Sequence, residues 1–264
     1  MKETGETGMS DPAAALEAIR RSIRSAQDPE FEWLRTAFVP WAHVQVPVRR
    51  ARVALVTTGG VYLGNDFHEP FDPGQPWGDP GFREFPWVVE AEDLKVAHPY
   101  YDDRHAVRDP NVVFPVERLR ELADMGVVGG PAPFHYSVMG HLPRPARFLA
   151  ETLPALVERL RRAQAGAVVV VAVSPLCHQT AALIARGVEA AGIPTVCLGV
   201  EPAVWTAVQP PRAVWVRHPV GAPLGQPGNA AKQQQVLRDT LDALETMAER
   251  GSLWELPYRW TGDV

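Results

Sequence analysis

The chain contains 264 residues, of which 46% are hydrophobic and 22% are charged, and its formal net charge at pH 7 is −5. This composition is typical of a globular protein, and the negative charge excludes a general nucleic-acid binder. The apolar runs are shorter than the roughly 20 residues of a membrane span, the acidic N-terminus lacks a signal-peptide core, and two cysteines make no disulfide framework, so we expect a cytoplasmic protein that does not enter membranes.

The N-terminal region predicts two helices. An Asp-Pro pair at positions 11 and 12 is a helix cap followed by proline in the first turn, and we expect that helix to end near Ala26. The stretch from Phe31 to Phe38 predicts a second, shorter helix with Trp33 and Phe38 packed inward. We therefore assign residues 1–45 to an N-terminal helical extension and residues 46–264 to a single domain.

The next segments begin with a strand and continue into a long loop. Residues 52–58 are apolar and β-branched, which predicts a strand that Gly59 and Gly60 end. Residues 61–111 have little regular pattern, and an ordered loop of this length is often functional. Helices are predicted at 115–125 and at 143–165, the second with basic residues near its end, as the helix dipole favours.

The second half of the chain alternates strands with helices. Strands are predicted at 167–173, 194–200 and 213–217, and helices at 178–191, 201–208 and 229–249. Such alternation is typical of βαβ units and of a mostly parallel sheet. The sequence therefore predicts an α/β fold with long ordered loops at the carboxyl ends of the strands.

The strongest site signal follows the strand at 167–173. Ser174 and Cys177 lie where this strand turns into the next helix, and open α/β sheets bind ligands at the carboxyl ends of their strands. A helix N-terminus favours the thiolate form of a cysteine, so Cys177 is the candidate reactive group, with His178 beside it. A buried cysteine without chemistry is the alternative, and so is a disulfide between Cys177 and the mid-strand Cys197.

Other polar clusters are candidates for substrate binding. Arg83 follows a turn and is suited to hold a carboxylate, and Gly59 and Gly60 permit close approach of a ligand. The further candidates share histidine, carboxylate or hydroxyl chemistry suited to acid–base catalysis or binding: His98, Asp102, His135, Tyr136 and Ser137.

A metal site is a further alternative, although we predict no cofactor. The candidate ligands are Cys177, His178, His135, His141, His98 and Asp102. They lack the C-x-x-C or H-x-x-x-H spacing of a metal motif.

Four segments resemble one known family in the same order. They are the Gly-Asp-Pro-x-x-Arg83-x-x-Pro86 turn, the His98-to-Pro115 run, the His135-Tyr-Ser-x-Met-Gly140 element and the strand followed by Ser174-x-x-Cys177-His-Gln. Together they resemble the selenoprotein B subunits of D-proline and glycine/sarcosine/betaine reductases, from about residue 52 to the last helix. The family carries selenocysteine at the position that Ser174 occupies here.

The resemblance implies a three-layer fold of Rossmann or flavodoxin-like type and a reductase-like enzyme acting on a small amino acid or amine. It also implies a pyruvoyl or carrier-type partner subunit. Because serine cannot be oxidised, Cys177 would need an external thiol reductant or Cys197 as its resolving partner. The alternatives are a non-redox binding paralogue, a partner subunit or homo-oligomer, and a metal-dependent lyase or hydrolase using the same pocket.

Overall fold

The computed structural model describes residues 11–64 and 67–261. The strands are β1 (Arg52–Thr57), β2 (Val61–Leu63), β3 (Phe82–Pro86), β4 (Leu94–Val96), β5 (Gly130–Pro131), β6 (Phe134–Val138), β7 (Ala167–Val171), β8 (Thr195–Gly199), β9 (Arg212–Arg217) and β10 (Ser252–Arg259). The helices are α1 (Pro12–Ala26), α2 (Arg104–Arg108), α3 (Val116–Asp124), α4 (Leu153–Arg162), α5 (Pro175–Ala190), α6 (Pro202–Val208) and α7 (Ala230–Thr246), and a π-helical turn (Phe148–Thr152) precedes α4. Of these helices, none has the length and apolar character that crossing a membrane requires.

One large sheet organises the fold. Its order is β10-β9-β8-β7-β1-β6-β3, with the short β5 also pairing β1. All pairs are parallel except β3 with β6. The predicted mostly parallel sheet is therefore confirmed, with one antiparallel strand at its edge.

Helices cover both faces of the sheet, which gives the predicted three layers. One face packs against α3 and α7. The other packs against α4, α5 and α6, with Ile23 of α1 at its margin. β7 is buried along its whole length, as a central strand covered on both faces should be.

The strand order reverses between β1 and β7. From β1 the chain crosses through α3 to β6 on one side, and from β7 it crosses through α5 to β8 on the other side. Since α3 and α5 lie on opposite faces, a crevice opens between the carboxyl ends of these two strands. Such a switch point is the usual ligand position in open α/β sheets.

The predicted helix at Phe31–Phe38 is wrong, because this segment is extended. Phe31 and Trp33 are buried while Phe38 is 63% exposed, so the burial alternates as in a strand and not as in a helix. Backbone groups that would form the hydrogen bonds of a helix instead bond to side chains. The Phe31 carbonyl accepts from Arg24, and the Leu34 amide donates to Gln179.

Two strands replace predicted loops. Residues 135–137, for which the sequence predicted neither strand nor helix, lie in β6 beside β1, because their polar side chains concealed a buried strand. β10, which follows α7, has no counterpart in the predicted elements. The 61–111 stretch is also more regular than expected, since it contains β2, β3, β4 and α2.

The N-terminal segment is fastened along the outside of the α/β core. Arg144 forms two hydrogen bonds to the buried Asp28 carboxylate. Further along, the Ala42 amide donates to Glu189 and the Ala42 carbonyl accepts from Arg212. Glu189 and Arg212 also pair with each other and are buried. From residue 11 onward, where the structure describes it, the region assigned as a helical extension is thus α1 followed by an extended strap, residues 28–47.

Candidate active site

The Cys177 thiol lies at the switch point. Its Sγ accepts a hydrogen bond from Ser174 Oγ at 2.9 Å, lies 3.2 Å from His98 Nε2 and approaches the Thr58 carbonyl at 3.5 Å. Ser174 and Cys177 come from the β7–α5 junction, Thr58 from the end of β1, and His98 from the chain after β4. Three separate segments therefore converge on one sulfur atom, and Cys177 is 0% exposed.

The hydrogen bonds of His98 define its tautomer. The Tyr100 backbone amide donates to Nδ1 at 3.3 Å, so Nδ1 carries no proton and Nε2 does. Burial lowers the pKa of His98 to about 3, which keeps the ring neutral. His98 is therefore a hydrogen-bond donor to the sulfur and not a base in this arrangement.

The electrostatics of the thiol combine opposing effects. Burial raises the pKa of Cys177, while the hydrogen bonds from Ser174 and at Thr58 act in the opposite direction. The thiol also sits in the first turn of the 16-residue α5, where the helix dipole favours a negative charge. The site thus holds a protonated thiol at neutral pH but supplies two donors to a thiolate once it forms.

His178 does not contact the thiol. Its Nδ1 donates to the Ser174 carbonyl at 2.7 Å, and its Nε2 accepts from the Val200 and Glu201 amides at 2.9 and 3.1 Å. Both ring nitrogens are therefore engaged, and burial lowers the pKa of His178 to about 4. In this arrangement His178 ties the start of α5 to the end of β8, and its catalytic role stays a prediction.

The strand-end glycines contact protein and not a free space. A side chain on Gly60 would meet the Ala97 carbonyl at 2.6 Å, and Gly59 accepts a hydrogen bond from the Tyr101 hydroxyl at 3.1 Å. They let the His98 loop lie close to β1. Their contact with a ligand stays a prediction.

Gly140 permits a close approach of the backbone to the thiol itself. A Cβ there would lie 2.9 Å from Cys177 Sγ and 2.5 Å from Thr58 Cβ, so only glycine permits this loop to pass over the thiol. Its carbonyl accepts from Thr180 and its amide donates to Thr58.

The three β6 candidates support the neighbouring strands. The His135 Nδ1 accepts from the Leu55 amide, and burial lowers the pKa of His135 to about 3. The Ser137 hydroxyl accepts from the Val61 amide at 2.8 Å. Tyr136 is buried, which raises its pKa. We find no contact from these residues to the thiol within the described ranges.

Arg83 and Asp102 lie apart from the thiol cluster. The Arg83 guanidinium donates to the Glu69 and Pro70 carbonyls and stacks on Phe71, so it organises its own loop. Asp102 is exposed and pairs with Arg104. Neither arrangement supports the substrate-binding role that the sequence suggested.

The second cysteine is not a partner for the first. Both cysteines are free and buried, and the Cys197 Sγ donates to the Ala181 carbonyl inside α5. Cys197 belongs to the core cluster under α5, whereas Cys177 packs in the cluster of the opposite face. The alternative of a Cys177–Cys197 disulfide is therefore not met.

The candidate metal ligands do not form one group, although the His141 ring lies 6.4 Å from the His98 ring. In the portion of the chain with a described structure, no three His, Cys, Asp or Glu side chains form a metal-ligating group. His98 and Cys177 do meet, but His135, His178 and Asp102 are engaged elsewhere, as described above.

A cleft of about 270 Å³ opens beside Ser174. One wall is the face of α1 near its C-terminal end, and the other is the start of α5 with Tyr100 and His141. These two rings stack with centroids 3.7 Å apart. Among the described residues, no Asp, Glu, Lys or Arg side chain lines this cleft.

The sequence did not identify Thr58, Tyr100 and Gly140 as site residues. Thr58 contacts the thiol through its backbone carbonyl, and Gly140 matters because it has no side chain. Neither property can be recognised from the residue type in the sequence. Tyr100 lies two residues after His98 in the chain, and that proximity was the one available signal.

Comparison with known proteins identifies the family that the chain resembles. A sequence profile described as glycine/sarcosine/betaine reductase selenoprotein B matches residues 26–173. The resemblance therefore begins earlier than the predicted residue 52 and includes most of the strap. No solved structure matches the chain.

Curated relatives agree with that profile. The D-proline reductase subunit gamma of Acetoanaerobium sticklandii is 32% identical over 85% of this chain and 90% of its own length. The glycine reductase complex component B subunit gamma of Symbiobacterium thermophilum is 28% identical over 78% of this chain but 49% of its own length. The sarcosine reductase complex component B subunit beta of Peptoclostridium acidaminophilum is 27% identical, and the chain spans 48% of it.

A profile that covers more than half of the chain and a relative of similar length together establish the lineage. The chain belongs to the glycine/sarcosine/betaine reductase selenoprotein B family.

Proposed function

We propose that this protein is a reductase-type subunit that acts on a small amino acid or amine through the single thiol of Cys177. The observation that carries the proposal is the convergence of His98, Ser174 and Thr58 on Sγ at the switch point of the sheet. The neighbouring cleft of about 270 Å³ suits a small molecule.

The electron source in this proposal is an external thiol. Reductive cleavage of a carbon–heteroatom bond consumes two electrons, which two external thiols supply when they become a disulfide. In this proposal the Cys177 thiolate displaces the heteroatom group, which leaves with a proton, and a carbon–sulfur bond forms. The first external thiol then attacks Sγ, so that a mixed disulfide forms while the carbon leaves and takes up a proton. The second external thiol frees Cys177 and becomes the other half of the external disulfide. Ser174 cannot be oxidised, and Cys197 is turned toward Ala181, so neither can take the place of the second thiol.

The partner in this proposal is another subunit. The relatives are named as subunits or components of reductase complexes, and a partner that holds the substrate would explain why the cleft of this chain is small and uncharged. We propose a location in the cytoplasm, the compartment in which thiol reductants keep cysteines reduced.

A non-redox binding subunit is the second candidate. The observation that favours it is the buried, protonated thiol next to a serine, since a nucleophilic cysteine is normally partly exposed with a lowered pKa. In that case a ligand would occupy the cleft and Cys177 would serve only packing.

The test is thiol-dependent conversion of glycine, sarcosine, betaine and D-proline, the compounds in the names of the relatives. The protein, with any chains that copurify with it, is incubated with a dithiol and products are identified by mass spectrometry. We expect Cys177→Ser to abolish conversion and the matched Cys197→Ser to preserve it. Equal loss or equal retention in both variants contradicts the proposal, while binding without conversion supports the second candidate.

A further inference from the structure

The Cys177 thiol is enclosed although a cleft lies next to it. Cys177 is 0% exposed and Ser174 is 1% exposed, yet Ser174 lines the cleft. A molecule in the cleft is therefore separated from Sγ by the Ser174 turn and by the stacked rings of Tyr100 and His141. Some element has to move before any substrate or reductant can touch the sulfur.

The N-terminal helix forms the opposite wall. Five of its end residues line the cleft: Ile19, Ser22, Ile23, Ala26 and Gln27. Three of them, Ile19, Ser22 and Ile23, lie before residue 26, where the family profile begins. Most of this wall thus comes from residues that the family profile does not cover.

A continuous set of contacts joins this helix to the thiol. Gln27, the residue that ends α1, contacts His141 Nε2 through its Oε1 at 2.5 Å. The His141 ring stacks on the Tyr100 ring. The backbone amide of Tyr100 donates to His98 Nδ1, and His98 Nε2 contacts Sγ. His141 also follows Gly140, the residue that passes directly over the sulfur. Movement at Gln27 therefore bears on both segments that cover Cys177.

The same helix is held more weakly than the other walls. Within α1, all of which the structure describes, Ile23 is the single buried side chain. The ion pairs from Arg20 and Arg24 of α1 reach the exposed Glu32 and are only partly buried, and such pairs contribute little. The firm attachment lies just after α1, where Arg144 holds the buried Asp28 carboxylate. The start of α5, by contrast, is buried from Leu176 onward. Elements with few buried contacts open first.

We propose that α1 is a movable cover of the cleft and that Gln27 is the positioning residue which links its closure to the covering of Cys177. With α1 docked, His141 and Tyr100 shield the thiol. When α1 lifts, the Gln27 contact breaks and the 139–141 loop is free to uncover Sγ. The inference concerns access to the thiol, and it rests on the proposed function only for the use of that access.

The experiment measures alkylation of the two cysteines by iodoacetamide in the native protein at pH 9, with each site followed by peptide mass spectrometry. The variants are Ile23→Ala, which removes the buried anchor, and Gln27→Ala, which removes the link. Arg21→Ala is the matched control, because Arg21 is an exposed position of the same helix. Cys197, deep in the core, reports global unfolding.

We expect Ile23→Ala to label Cys177 roughly 50-fold faster, because about 0.8 kcal/mol for each of the three lost carbon atoms shifts the opening equilibrium by that factor. Gln27→Ala should label it several times faster. Arg21→Ala should match the unaltered protein, and Cys197 should stay slow throughout.

Two results overturn the inference: Cys177 labelling within about twofold of the unaltered protein in both variants, or a parallel rise for Cys177 and Cys197, which indicates global unfolding. Failure of the proposed function is a separate result. It would leave the labelling pattern intact while no compound is converted.

Discussion

Replacing Gly140 with alanine should destabilise the protein by crowding the thiol. The new Cβ would lie 2.5 Å from Thr58 Cβ, about 0.9 Å short of ordinary van der Waals separation, and 2.9 Å from Cys177 Sγ. Thr58 cannot yield easily, because its amide and hydroxyl both donate to the Val171 carbonyl. Gly140 does not have a positive φ. The loss of stability in Gly140→Ala therefore reports the steric contact and not backbone strain.

The magnitude follows from two opposing effects. Overpacking a tight core costs about 1–3 kcal/mol, and alanine in place of glycine recovers about 0.4–1 kcal/mol by restricting the unfolded chain. We expect a net loss of about 1–2 kcal/mol in the free energy of unfolding. Gly74→Ala is the matched control: its nearest neighbour is the tip of the exposed Asp72 side chain at 3.1 Å, so it should be neutral or slightly stabilising.

Urea unfolding monitored by tryptophan fluorescence checks both values. An unchanged or increased stability of Gly140→Ala would refute the close packing of the 139–141 loop over Cys177, on which the account of the site depends. Equal destabilisation by both substitutions would show that the effect belongs to glycine replacement in general.

Two further predictions concern ionisation. Ser174→Ala removes a hydrogen-bond donor that lies 2.9 Å from the sulfur, so it should raise the pKa of Cys177 by about one unit. Ultraviolet titration of the thiolate, with Cys177→Ser as the baseline, measures this pKa. An unchanged or lower midpoint contradicts the prediction. Burial lowers the pKa of His98 and His135 to about 3 and of His178 to about 4. Because these histidines are neutral when folded and charge freely when unfolded, each should remove about 1.4 kcal/mol of stability per pH unit below about pH 6.5. Urea unfolding between pH 7.5 and 5 tests this, and a flat stability profile would show that the rings are not held neutral.

The sequence predicted the architecture where local pattern and tertiary role coincide. The apolar run before Ser174 is a strand buried on both faces, as predicted. Cys177 lies at the N-terminal end of a helix, as expected, although that helix begins at Pro175 and not at the predicted residue 178. Alternating strands and helices also established the parallel sheet. These features depend on periodicity and on the topology of parallel sheets, which a single sequence carries.

The contacts between distant segments were beyond such patterns. His98 reaches Cys177 from 79 positions away, whereas the adjacent His178 is turned toward the end of β8. Gly140 was recognised only as part of a polar loop, although its lack of a side chain is what admits that loop over the thiol. In the strap, Phe31 and Trp33 are buried by an extended chain, so aromatic content alone misled the helix prediction.

The comparison of Cys177→Ser with Cys197→Ser in the thiol-dependent conversion assay tests the central claim most directly. The account predicts that conversion requires Cys177 and that a mixed disulfide with the external thiol maps to Cys177 alone. Conversion that persists without the Cys177 sulfur, or a mixed disulfide found on Cys197, would contradict it.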